Sequence, residues 1–281
     1  MLKDLIILIR PKQYYKNLLL FAGIVFSGKL LNIDDLVTSI FGFVAFCLAS
    51  SGQYIFNDIV DRERDKKHPK KKNRPIAAGR VKIPVAVTLS AILLTSSLLL
   101  SFYLKFEFMI AVLIYLIMNF LYSAVLKQIV LLDVFVISAG FVLRAIAGCL
   151  LLSVAISPWL IVCTLLLALF LALGKRRHEL LILGKAANTH RNTLGEYTID
   201  AINQMLSATA SAIIVSYSLY TFFSHTNLML TIPIVIYAIY RYFILINKDN
   251  SGDANEIVFK DRGIVASVLI WVFIVLMMLY V

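Results

Sequence analysis

The sequence predicts an all-α integral membrane protein with nine transmembrane helices, and three observations carry that expectation. Hydrophobic residues make up 60% of the 281 positions and charged residues only 15%, with a mean hydropathy of +0.88, a balance foreign to soluble chains. The apolar residues gather in nine runs, at about 14–33, 35–56, 83–104, 107–126, 129–151, 157–174, 200–223, 228–246 and 264–281. Each is near the ~20 residues that cross ~30 Å of hydrocarbon. Threading the runs alternately from an inner N-terminus places 23 of the 27 Lys and Arg on the inner side. Only Lys29 and Lys105 fall outside, and Arg144 and Arg241 lie within runs. A wrong number of crossings would scramble this asymmetry, so the N-terminus is expected in the cytoplasm and the C-terminus outside, across the cell (inner) membrane.

Taken in order, the chain begins with a mixed segment, Leu5 to Asn17, in which Arg10, Lys12 and Lys16 interrupt apolar residues; it is expected to lie flat at the bilayer interface. No small-residue cleavage site precedes the first run, so that run is read as a retained span rather than a signal peptide. Three long polar loops then separate spans on the inner side, at 57–82, 175–199 and 247–263, whereas the outer connections are short. The net charge of +11 sits in these loops rather than on a polar domain, so it reports topology and excludes nucleic acid as a partner. Cys47, Cys149 and Cys163 all lie within apolar runs, without metal-ligand spacing, and read as packing residues. There is no internal repeat and no Gly-rich phosphate loop. A single catalytic domain over 1–281 is expected.

The stretch Asn57 to Arg80, NDIVDRERDKKHPKKKNRPIAAGR, is where carboxylates crowd together. On a helix, Asn57, Asp61 and Asp65 stand at i, i+4 and i+8 and stack on one face, with Asp58 beside them. Carboxylates stacked this way repel, and a hard cation that prefers oxygen ligands, such as Mg2+, relieves the repulsion. Ten Lys and Arg between Arg62 and Lys82 would complement a phosphorylated substrate held by that metal. The plainer alternative pairs the acids with their neighbouring bases in an ordinary cytoplasmic loop.

The other inner loops offer cations. Lys175, Arg176 and Arg177 form a cluster, followed by Glu179, Arg191, Glu196 and Tyr197; they read either as a phosphate clamp or, for Lys175 and Glu179, as an i,i+4 pair. Arg262 before the last span is either a ligand contact or a positive-inside anchor. Arg144 is placed about 20 Å inside the membrane, where a bare charge is costly, so it requires a partner from another span or a bound anion. Arg241 lies near the inner end of its span and can snorkel. The four His are scattered, and no Ser or Cys arrangement suggests a covalent nucleophile. An enzyme built from these residues needs a substrate that is already nucleophilic.

The pattern NDxxDxxxD, here Asn57, Asp58, Asp61 and Asp65, followed by NRPIAAGR, resembles the UbiA superfamily of intramembrane prenyltransferases. RPKQYYKN at 10–17, HP at 68–69, RAIAG at 144–148, GKRRHEL at 174–180, LGEYT at 194–198 and KDRG at 260–263 are similar to the branch typified by decaprenyl-phosphate phosphoribosyltransferase. The resemblance covers essentially the whole chain and implies nine helices around a central cavity that opens to the cytoplasm beneath the three inner loops. It also implies transfer of 5-phosphoribose from 5-phosphoribosyl 1-diphosphate to a polyprenyl phosphate, with Mg2+ as cofactor and pyrophosphate as by-product. Asn57, Asp58, Asp61 and Asp65 would then hold metal and diphosphate. Lys175, Arg176, Arg177, Arg191 and Arg74 are candidates for the donor's phosphates, and Lys16, Lys127 and Arg144 for the lipid phosphate. Aromatic-substrate members carry a second Asp-rich motif after the sixth span, whereas 175–197 contains no Asp. An aromatic or quinone prenyltransferase using a polyprenyl diphosphate is the alternative, and an anion transporter a more distant one. The lipid bilayer is the expected surrounding and a homo-oligomer is compatible with the sequence.

Overall fold

Inside a bilayer no water satisfies backbone N–H and C=O groups, so an apolar run must close its own hydrogen bonds, and a helix does so locally. The computed structural model describes residues 2–67, 71–183, 195–224, 226–247 and 258–281, and every regular element among them is helical. Eight helices among the described residues are long and apolar enough to cross a membrane. The chain folds as two compact units, Met1–Ile156 and Ser157–Val281.

The first unit opens with α1 (Leu2–Ile9), which buries Leu8 against Ile55, Ile76, Val81 and Ala86. Its helix stops at Arg10, which precedes a proline, is thereby kept out of the right-handed helical region, and takes a left-handed conformation (φ 52°, ψ 59°). The first apolar run, expected as one α-helix, instead folds as a 3-10 helix over Pro11–Phe21 and a short α2 (Ala22–Phe26). A 3-10 helix has three residues per turn, so Tyr14, Asn17 and Leu20 align in one straight row. Asn17 and Leu20 are buried, so this segment enters the core rather than lying flat at an interface up to Asn17. Eleven 3-10 residues at about 2.0 Å each, followed by five α residues at about 1.5 Å each, extend about 30 Å, the thickness of the hydrocarbon core. Gly28, at φ 73°, ends α2 in a Schellman turn, with the Lys29 amide donating to the Ile24 carbonyl.

Then come α3 (Ile33–Val60), α5 (Ile83–Leu104), α6 (Phe106–Ala124) and α7 (Leu132–Leu151), with the short α4 (Arg62–Lys67) after α3. Asn32 caps α3 through the amides of Asp34 and Asp35, two acids suited to the positive end of the helix dipole. Phe46, Phe108, Tyr115, Leu20 and Leu151 form the core. Apolar surface gives no preference for protein over lipid here, so close approach and hydrogen bonds hold the helices together. Ser90 and Ser97 of α5 donate to the carbonyls of Gly52 and Ala45 on α3. A Cβ added at Gly148 would stand 2.0 Å from the Leu20 carbonyl oxygen, which places the 3-10 helix backbone to backbone against α7. Two lysines serve the end of α7: Lys105 donates to the Leu150 carbonyl at 2.6 Å and Lys29 to the Leu152 carbonyl at 3.4 Å.

The second unit contains α8 (Pro158–Leu183), α9 (Ile199–Ser224), a 3-10 turn at Thr226–Thr231, α10 (Ile232–Ile246) and α11 (Arg262–Tyr280). The Trp271 indole donates to the Tyr217 hydroxyl, which in turn donates to Thr231, whose hydroxyl ends the relay on the Leu228 carbonyl. Gly174 leaves room for the Tyr242 hydroxyl, 2.2 Å from where its Cβ would stand. Asp261 caps α11 through the Ile264 amide and pairs with Arg241, so Arg241, expected to snorkel, has a carboxylate partner.

Candidate active site

The span α3 continues to Val60, so Asn57 and Asp58 occupy its last turn, Asp61 is the joint, and Asp65 lies on α4. Backbone bonds cross the joint without interruption, from the Asp61 amide to the Asn57 carbonyl and from the Asp65 amide to the Asp61 carbonyl, at 2.9 and 2.8 Å. The i, i+4, i+8 spacing therefore holds along the backbone. The side chains divide differently from the expected single acidic face. Asp58 and Asp65, seven residues and about two turns apart, converge on one guanidinium nitrogen of Arg74, Nη1, at 2.9 and 2.6 Å. Arg10 also pairs with Asp58 and stacks over the Tyr54 ring. Asp61 faces elsewhere, toward Lys127 Nζ at 2.6 Å, with Arg64 at 3.9 Å. The Asn57 side chain makes no hydrogen bond among the described residues.

Burial raises the Asp65 carboxyl above its ordinary value, opposed by Arg74. Glu63 is held below its ordinary value by its bond to Lys66. Among the described residues no three His, Cys, Asp or Glu side chains converge as a ready-made metal centre. Two buried carboxylate oxygens nevertheless share one cationic point, and the donor set of carboxylates and an amide is what a hard divalent ion prefers. In that respect the residues fit a bridging cation.

Deeper in the same unit, Arg144 is buried and donates to Asn17 Oδ1 at 2.7 Å, the Gly140 carbonyl at 2.7 Å and the Tyr115 hydroxyl at 2.8 Å. The rings of Tyr115 and Phe141 lie against its guanidinium. The partners expected from other segments are present, they are all neutral, and among the described residues no carboxylate pairs with it. Asn17 completes the joint by donating to Cys47 and Ser50 of α3. Lys16 is half-buried, with its ammonium near the Tyr15 ring.

In the second unit Lys175 is half-buried, while Arg176 and Arg177 are buried. Glu179 pairs with Arg176, three residues away, in place of the Lys175 pairing that helical spacing also allowed. Arg177 donates to Asn203, to the Ile246 carbonyl and to Asn247, closing the C-terminal end of α10. Tyr197 is buried, Glu196 is exposed, and Arg262 is exposed as the first residue of α11. Arg191, together with His68, Pro69 and Leu194 of the quoted motifs, lies outside the described residues. Arg10, Asn17 and Tyr115 were not among the expected site residues.

Residues 18–264 match the sequence profile of the UbiA prenyltransferase family. The chain belongs to that family. It is an enzyme, a transferase of the UbiA type in a multi-pass membrane fold. Decaprenyl-phosphate phosphoribosyltransferase of Mycolicibacterium smegmatis is 33% identical over 290 residues, covering 97% of this chain and 91% of the relative. The enzyme of the same name from Mycobacterium tuberculosis H37Rv is 30% identical, covering 94% and 90%. The fold is that of a UbiA homolog from Archaeoglobus fulgidus bound to GPP and Mg2+, with a TM-score of 0.76, 17% identity and 99% of each chain covered.

Proposed function

We propose that this UbiA enzyme transfers 5-phosphoribose from 5-phosphoribosyl 1-diphosphate to a polyprenyl phosphate. Its near full-length similarity to decaprenyl-phosphate phosphoribosyltransferases carries the reading. The residue chemistry supports it. A lipid phosphate is already anionic at neutral pH and needs no general base to make it a nucleophile. A phosphate oxygen of the lipid forms the new bond to ribose C1 as the C1–O bond to diphosphate breaks, and the electron pair leaves with pyrophosphate.

Asp58 and Asp65, with Asn57 and Asp61, would hold a divalent ion; bound there, it would neutralise charge on the departing diphosphate. The protein's own work is positioning and field. Arg74 is assigned to the donor's phosphates, and Lys175, Arg176, Arg177 and Arg191 are assigned there on charge. Lys127, Lys16 and Arg144 are assigned to the lipid phosphate, with Glu179, Glu196, Tyr197 and Arg262 as further loop residues. In the same reading 1–281 is one catalytic domain, the 3-10 segment is the first of nine crossings, and the N-terminus and three long loops face the cytoplasm.

The test is turnover of the purified protein with Mg2+, offered 5-phosphoribosyl 1-diphosphate and polyprenyl phosphate together with a polyprenyl diphosphate and an aromatic acceptor. Pyrophosphate release that requires the first pair is expected; prenylated aromatic product with the sugar donor untouched would overturn the proposal.

A further inference from the structure

We infer that Arg74 is an exchangeable counter-ion: it holds Asp58 and Asp65 together until a divalent cation arrives, then passes to a phosphate of the diphosphate that accompanies the cation. The inference rests on the metal-diphosphate reading above.

The geometry separates fixed from movable partners. The side chains of Asp58 and Asp65 are only 2% and 4% exposed, whereas Arg74 is 25% exposed. Its Nη1 occupies the point shared by two carboxylate oxygens, which is where a bridging cation would compete. The backbone beneath Arg74 is anchored. Its amide donates to the Lys71 carbonyl, its carbonyl accepts from Ala78, Ile76 is buried in the α1–α3 core, and Arg80 ties the same loop to Asn73 and Asp4. Only the side chain has to turn. Arg10 is a second hold on the same Asp58 oxygen and does not reach Asp65, so it need not leave when a cation bridges the two.

Charge explains why the exchange favours paired arrival. A bare cation must displace a guanidinium and leave it without a partner, whereas a cation that brings diphosphate supplies oxygens suited to a guanidinium fork. Arg74 therefore weakens binding of metal alone and strengthens binding of metal with diphosphate, a coupling that must be reciprocal.

The experiment measures Mn2+ binding to the full-length protein in detergent by the electron paramagnetic resonance of free Mn2+, with and without inorganic pyrophosphate. Arg74→Gln is expected to bind Mn2+ alone about tenfold more tightly, and pyrophosphate in the presence of Mn2+ about tenfold more weakly, the size of one partly buried ion pair. Arg74→Lys keeps the charge and should stay near wild type for Mn2+ alone. A merely structural Arg74 would weaken both, and one that only binds phosphate would leave Mn2+ alone unchanged; either result overturns the inference. The wild-type protein gives a second measure that does not depend on a variant folding. Phenylglyoxal modification of Arg74, mapped by mass spectrometry, should rise with Mn2+ alone and fall when pyrophosphate is added, and indifference to Mn2+ would overturn the exchange. The donor reading fails separately, if pyrophosphate binds in this manner but 5-phosphoribosyl 1-diphosphate does not.

Discussion

The end of α3 and the end of α8 solve opposite problems. At the end of α3 Asp58 and, just beyond it, Asp65 are buried, and the bases that answer them, Arg10 and Arg74, reach in from partly exposed positions. Toward the end of α8 Arg176 and Arg177 are buried; Arg176 pairs with Glu179, whereas Arg177 is answered by amides and a backbone carbonyl, with no carboxylate among the described residues. A counter-ion can be exchanged for another ion. A carbonyl at a helix end cannot, and it fixes a guanidinium without cancelling its charge. The first arrangement suits a site that must accept a cation, the second a site that must remain positive.

Removing the acids would break the contrast most strongly. Asp58→Asn should reduce pyrophosphate release by at least about 100-fold, in the range of losing a preorganised charged group, while the protein stays folded; turnover within tenfold of wild type would end the metal role. Arg177→Met should lower stability by about 2 kcal/mol, since the buried Ile246 carbonyl and the two less buried amides of Asn203 and Asn247 lose their donor. Thermal unfolding in detergent checks this, and an unchanged midpoint would mean the cap is dispensable. Asp261→Ala removes the only side-chain cap on α11 seen among the described residues and should cost about 1 kcal/mol by the same measurement. The smallest effect concerns the tie between Asp4 and Arg80. Arg80 holds the Asp4 carboxyl below its ordinary 3.8. Its contribution is therefore complete above that value and is lost as pH falls through the lower folded value. Hydrogen exchange in α1, corrected for intrinsic rate, should quicken between pH 5 and pH 3 in wild type and change less in Asp4→Asn.

Much of this was legible in the sequence because it is local. Apolar runs announced the spans, and the Asn57 to Asp65 spacing survives as continuous backbone hydrogen bonds. The first run was read correctly as apolar and incorrectly as one α-helix. Pro11 marked a break, and the three-residue recurrence of Tyr14, Asn17 and Leu20 was the available sign of a 3-10 helix. Partners far apart in sequence were not legible. Arg10 is 48 residues from Asp58, Lys127 is 66 from Asp61, and nothing in the residues themselves links Arg177 to a carbonyl 69 positions later. The basic residue just before Pro11, on a segment read as interfacial, was the one cue to Arg10.

Asn17 carries a further consequence for how easily the interior could be altered. Its amide oxygen receives Arg144 and its amide nitrogen serves α3, so one small neutral side chain joins three segments. Aspartate has the same shape and lies a single nucleotide change away. That change would keep the contact to Arg144 and strengthen it, yet it would cancel the guanidinium's charge and turn a buried cation into a closed pair. The amide thus works as an insulator, fixing a charge in place without discharging it.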